Sequence, residues 1–416
     1  MSRRGLLWTA FAAVHLIVAA LGWLLPNQPM GDVYLVYEPW AASTLSGSGI
    51  PGIHSSFVYP QLALVPMLLA EALSWAGGYI IAWAVLVTAL DAVAFAVLVG
   101  RARSRGRVRA AWFWLGFALL LGPIGMYRID AITVPIAVVA LLLLARRPVL
   151  AAALLTAGAW IKVWPAALVA AAAVAVRRRV SVIVSAAAVS LAVLGAIVAA
   201  GGAAHALGFV TGQTGRGLQL EAPVSAFYLW RAVLGEDGSF IYYDRDMLTF
   251  QVAGPEVDVV IALMTPLLAC AVGAVLVLGA IKAWRGASFA RLMPPLALAL
   301  VLVLIVVNKV GSPQFQTWLI APLVLWIVLD RTAARLPAAL ALIVAALTMA
   351  VYPLTYGGLL AADSFAATVL TARNALVIGL LVLVLVHLAR VPVRRARIRR
   401  PAAPGAEADA RYAPSS

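Results

Sequence analysis

Long apolar runs punctuated by short arginine clusters constrain this chain more than any other feature. Stretches of about 18 or more nearly uncharged residues recur from end to end, each long enough to cross a bilayer as a helix. Within lipid every backbone N–H and C=O must find a partner inside the segment, and for uniformly apolar runs the helix meets that demand. With 64% hydrophobic and 11% charged residues over 416 positions, the chain is far more apolar than a soluble domain. The expected fold class is therefore all-α integral membrane.

Charge placement predicts the topology. Positive residues stay on the cytoplasmic side, and they cluster at Arg3–Arg4, "RARSRGRVR" (101–109), Arg146–Arg147, Arg177–Arg179, "KAWRGASFAR" (282–291), Arg331 with Arg335, and the tail from Arg390. An even number of spans must separate consecutive clusters. Twelve ranges satisfy that rule: 6–25, 79–100, 110–127, 131–145, 148–161, 164–176, 180–200, 257–281, 292–307, 315–329, 336–353 and 366–388. Both termini are then cytoplasmic, and an uncleaved first helix is preferred to a signal peptide. The net charge of +15 becomes an orientation signal and a headgroup attraction, not a nucleic-acid surface.

Three segments need separate treatment. "YPQLALVPMLLAEALSW" (59–75) is short, carries Pro60, Pro66 and Glu71, and is expected to be an interfacial or re-entrant helix. Residues 148–176 run between two inside clusters with "WIKVWP" in the middle. They predict a hairpin of two short helices with Lys162 at or below its outer tip, where a lysine requires water or an anionic partner. Residues 1–388 form one membrane domain, and 389–416 are expected to be a basic disordered cytoplasmic tail. The single cysteine, Cys270, excludes an internal disulfide.

Under this topology the functional polar residues gather on the outer face. "PNQPMGDVYLVYEPWAAS" (26–43) offers Asp32 and Glu38, with no Lys or Arg anywhere between Arg4 and Arg101. Further on lie His54, Glu71, Arg128, Asp130 and Lys162. The loop 201–256 holds Arg216, Gln219 and Glu221, and "NKVGSPQFQTW" (308–318) holds Lys309 and Gln314. The Arg216–Glu221 stretch suits a sugar or a headgroup, with a plain surface ion pair as the competing reading. "DRD" (244–246) is read as a solvated loop before a metal-sugar-nucleotide motif. His15 and Asp91 fall mid-span, where an interhelical hydrogen bond is favoured over a proton relay. Metalloprotease, ATPase and serine-hydrolase motifs are absent from the sequence.

These residues also carry a resemblance. An Asp soon after the first helix ("GDVYLVYEPW") followed by a Tyr-Pro segment ("FVYPQLALVP") resembles the multi-spanning GT-C glycosyltransferases. The landmarks "YRIDAITVPIAVVALLLL", "AGAWIKVWPAALV", "RGLQLEAPVSA" and "GSPQFQTWLIAPLVL" fall in the order and spacing of glycosyltransferase family 87, which includes actinobacterial α-mannosyltransferases of glycolipid synthesis. Gln61 departs from that pattern, standing where a second proline is common. The resemblance implies a GT-C-like bundle of about twelve spans in the plasma membrane with an extracytoplasmic active site. It implies inverting sugar transfer, expected to be of mannose, from a polyprenyl-phosphate donor to a glycolipid acceptor among membrane lipids, with no nucleic acid. Asp32 takes the place of the catalytic base. Lys162, Arg128, Arg216 and Lys309 are candidates for the donor phosphate. Glu38, His54, Tyr59, Trp40, Asp130, Gln219, Glu221 and Gln314 are candidates for sugar or acceptor. No cofactor is implied, and a divalent metal is left open. The rival reading is a secondary transporter or lipid flippase, for which midplane ionisable groups and paired repeats are expected; a noncatalytic scaffold is the third.

Overall fold

A computed structural model describes residues 2–212, 215–245 and 248–393. Most of the expected tail, and Asp246 of the "DRD" triplet, lie outside the described residues. The chain opens with α1 (Arg3–Leu24), a π-turn over Val33–Tyr37 and the short α2 (Glu38–Leu45). α3 (Leu64–Leu73), α4 (Tyr79–Val99), α5 (Arg105–Leu121) and α6 (Asp130–Leu143) follow. Next come α7 (Pro148–Ala159), α8 (Pro165–Ala175) and α9 (Arg179–Ala199). The loop region contributes α10 (Gly208–Thr211), α11 (Ala226–Val233) and the strands β1 (Phe240–Asp244) and β2 (Thr249–Ala253). The C-terminal third is α12 (Val257–Trp284), α13 (Phe289–Val306), α14 (Ile320–Leu329), α15 (Arg335–Met349), α16 (Tyr356–Leu360) and α17 (Ser364–Ala389).

Among the described residues, eight helices are long and apolar enough to cross a membrane, and each coincides with one of the twelve expected ranges. The other four ranges fall on shorter apolar helices: α6, α7, α8 and the segment Pro313–Leu329. At about 1.5 Å per residue, the 12 residues of α7 reach about 18 Å, well short of a roughly 30 Å hydrocarbon core. Proline at the first position of both α7 and α8 starts each helix afresh, because proline has no N–H to offer a preceding turn. The two helices pack on each other, with α7 also against α6 and α9, and α8 against α9, α12 and α13. Residues 61–76 are likewise helical but short.

Burial separates the long helices. α13 is enclosed on nearly all sides, whereas α9 and α12 expose most of their apolar side chains, the arrangement for helices that face lipid. The β-hairpin is absent from the all-α expectation. Its strands "FIYYD" and "TFQVA" are rich in aromatic and branched residues, which favour pleated backbone, and pair antiparallel from Phe240↔Ala253 to Asp244↔Thr249. With Leu218, Tyr228, Leu229 and Leu359 they bury a second, smaller apolar cluster outside the main core.

His15 and Asp91 link α1 to α4. His15 Nε2 lies 3.1 Å from Asp91 Oδ2, and Nδ1 lies 2.9 Å from the Phe11 carbonyl. The pair adjoins a void of about 30 Å³. It is the interhelical hydrogen bond that the sequence favours.

Candidate functional site: a charged cavity walled by the loops

Segments far apart in sequence converge on a cavity of about 770 Å³. Asp32, Val36 and Trp40 line it from one face of the π-turn and α2, as an i, i+4, i+8 spacing requires. Arg128 approaches from the turn before α6. Its Nε lies 3.2 Å from Asp32 Oδ2, and Nη1 donates to the carbonyls of Pro29 and Tyr127 at 2.8 and 2.9 Å. Tyr37 donates from its hydroxyl to the same Asp32 oxygen at 3.5 Å and accepts from the Ile129 backbone N–H at 3.1 Å. Asp32, free of cationic neighbours in sequence, is therefore paired in space. Folding carries Arg128 to it.

Lys162 occupies the turn between α7 and α8. Its Nζ sits 4.5 Å from the centroid of the Tyr59 ring and 6.0 Å from that of Phe315. Among the described residues no carboxylate lies within ion-pairing distance of it, and burial lowers its ammonium pKa. Beside it Trp164 and Trp318 stack at 5.7 Å with planes 10° apart, and Phe315 stacks on Trp318 at 4.2 Å. All three rings line the cavity.

Another part of the wall is made by two loops joined backbone to backbone. The Gln219 N–H donates to the Lys309 carbonyl at 3.0 Å. The Gln219 amide donates to Glu221 Oε2 at 3.1 Å and meets Ser312 Oγ at 3.4 Å. Gly311 touches Ala222 so closely that an added Cβ would lie 2.4 Å from its backbone, so the "VGSP" glycine is needed for close approach. Glu221 is 2% exposed. Burial pushes its carboxyl up to about 7, with Arg373 and the Tyr356 hydroxyl pulling the other way. Arg373, from α17, also donates to the Glu221 carbonyl at 3.2 Å. Glu221 thus faces Arg373 rather than forming a surface pair with Arg216.

Asp32, Trp40, Tyr59, Arg128, Lys162, Arg216, Gln219, Glu221, Lys309 and Gln314 line this one cavity. Glu38, His54 and Asp130 do not. Glu38 lies at the start of α2, its carboxyl pKa raised by burial and by Glu71. His54 closes an exposed turn, its Nδ1 accepting from the Ile50 N–H at 3.0 Å. Asp130 is fully buried, with Oδ1 accepting from Trp318 Nε1 at 2.6 Å. Gln61 donates to the carbonyls of His205 and Ala206 and so ties two loops together.

Sequence reasoning missed Trp164, Trp318, Phe315, Ser312, Tyr352, Tyr356 and Arg373. Arg373 had a signal, since an arginine inside an apolar span marks a buried partner. The aromatic residues had none, because indoles in an apolar chain read as core.

No protein family matches the chain, and no curated protein matches it significantly. Fold and cavity together define a helical membrane protein with a large cavity whose lining combines cations, carboxylates and apolar side chains.

Proposed function

We propose that the protein is a membrane glycosyltransferase that moves a sugar from a polyprenyl-phosphate donor to a lipid-linked glycan acceptor, with inversion at the anomeric carbon. The observation that carries this reading is the shared lining of the cavity: one part-exposed carboxylate, several cations and an apolar flank of Val163, Met264, Leu268 and Leu304. In the proposed step an acceptor hydroxyl oxygen bonds to the anomeric carbon while the bond from that carbon to the phosphate oxygen breaks. The hydroxyl proton passes to Asp32. Among the described residues, both contacts to Asp32 fall on Oδ2, which leaves Oδ1 for the proton.

Arg128 is committed to Asp32 and two carbonyls, so its role is to aim the base. Lys162, Arg216 and Lys309 then neutralise the phosphate as it leaves. Gln219, Glu221 and Gln314 suit sugar hydroxyls, and the apolar residues contributed by the turn before α8, by α12 and by α13 suit a prenyl chain. Twelve spans, an outward-facing cavity and mannose as the sugar belong to the same proposal, through the charge pattern and the family resemblance. One feature favours a transporter or flippase instead: the broken pair α7–α8 meeting at a half-buried lysine.

The test is incubation of purified, correctly inserted protein with radiolabelled polyprenyl-phosphate mannose and a panel of glycolipids. Label recovered in the glycolipid supports transfer. Donor that is bound or translocated but never cleaved supports the transport reading.

A further inference from the structure

We propose that Asp130 is a positioning residue, the buried counter-charge that holds Lys162 toward the cavity. Two chains of contact join them. The indole of Trp164, two residues beyond Lys162, donates to Thr133 Oγ1 at 2.9 Å, and that hydroxyl donates to the Asp130 carbonyl at 2.9 Å. The turn carrying Lys162 is thereby fastened to the first turn of α6, where Asp130 sits. On the other route Asp130 Oδ1 accepts from Trp318, Trp318 stacks on Phe315, and Lys162 lies over the Phe315 ring.

The second carboxylate oxygen decides between a positioning role and a packing role. Asp130 is 0% exposed and its Oδ2 has no hydrogen-bond partner among the described residues. Holding Trp318 needs one acceptor oxygen, which an asparagine supplies. A fully buried carboxyl with an idle oxygen either takes up a proton or is answered by a cation, and Lys162 is the strongest charge favouring the second. The charges acting on Lys162 are Asp130 and Asp32, which attract it, and Arg216 and Arg128, which repel it, with Asp130 the strongest of the four. Asp130 does not line the cavity, so it acts through Lys162 and not on a ligand.

This inference rests on the donor-phosphate reading only for its consequence, and the experiment separates the two. The chain has three lysines, Lys162, Lys282 and Lys309, so amine labelling across pH, read by mass spectrometry, reports each one. Asp130→Asn keeps the acceptor for Trp318 and removes the charge. The labelling midpoint of Lys162 should fall by about one unit, a tenfold loss of proton affinity, while that of Lys282 holds as the internal reference. Asp130→Glu should keep the wild-type midpoint. Thr133→Val leaves both charges in place, cuts the tether, and should lower the midpoint by a smaller step; it also serves if Asp130→Asn does not fold. An unchanged Lys162 midpoint in Asp130→Asn, or in Thr133→Val where the former fails to fold, overturns the proposal. Binding of a short-chain polyprenyl phosphate is measured in parallel. A shifted midpoint with no lipid-phosphate binding, even by wild type, leaves the positioning role standing and removes the donor reading. Binding by wild type with an unshifted midpoint does the reverse.

Discussion

Two carboxylates in this protein are held by a nitrogen at nearly the same distance, and their settings could hardly differ more. Asp32 meets Arg128 at 3.2 Å, and Asp91 meets His15 at 3.1 Å. The side chain of Asp32 remains 35% exposed beside a cavity of about 770 Å³. Asp91 adjoins a void of about 30 Å³, room for about two waters. Both ring nitrogens of His15 face acceptors, the Phe11 carbonyl and the Asp91 carboxyl. The pair therefore holds a proton between its members and keeps both polar groups satisfied inside the bundle. The comparison teaches that pairing does not distinguish a carboxylate open to a cavity from one sealed in the bundle. Access does.

Asp32→Asn is the largest break to attempt. It keeps size and removes the proposed base, so on the glycosyltransferase proposal transfer should fall roughly 10²- to 10⁴-fold, with donor affinity little changed. Asp91→Asn should leave turnover per folded molecule intact. If folded Asp91→Asn protein loses turnover as fully as Asp32→Asn, access is the wrong criterion. Next in size is Lys162→Ala, expected to reduce donor use on the order of 100-fold, with Lys162→Arg milder. Equal and near-normal rates in both variants would move Lys162 to the structural side of the comparison.

Gly311→Ala sharpens the contrast from the packing side. Its Cβ collides with the Ala222 backbone, and overpacking of this kind costs about 1–3 kcal/mol. Thermal unfolding should report that loss together with lower activity, because the two loops that hold Gln219, Glu221 and Lys309 must part. For Asp91→Asn a similar loss of about 1–3 kcal/mol should come without the activity defect.

The smallest effect is a pH dependence. The Glu221 carboxyl titrates at about 7 instead of its ordinary 4.5 because burial disfavours the charge. The folded state thus binds this proton more tightly than the unfolded chain does. Its contribution to stability is complete below 4.5 and is lost as pH rises through about 7. If Glu221 accepts hydrogen bonds from a sugar as a carboxylate, activity should rise through the same interval. Glu221→Gln should flatten both slopes, and an unchanged stability profile would place the titrating group elsewhere.

Several parts of this picture were legible from residue order. The apolar runs locate every long helix, and Pro165 after "WIKVW" marks the break at Lys162. Ten of the residues singled out from the sequence line a single cavity, since polar groups in a greasy chain have few places to collect. The hairpin at 240–253 was missed because "FIYYD" looks apolar in a chain where most segments do. Glu38 and Asp32 could not be separated by composition, yet only Asp32 reaches the cavity.

What the sequence determined by itself is the class: a helical membrane protein, its long helices and the arginine clusters between them. Those follow from transfer energies that add residue by residue along a segment and need no knowledge of neighbours. The tertiary structure decided the partners. Arg128 found Asp32, Arg373 found Glu221, Trp164 found Trp318, and Asp130 was fully buried instead of lining the cavity. Such pairings depend on which helix faces meet and at what depth, and on the steep distance dependence of electrostatics away from water, so no local pattern encodes them.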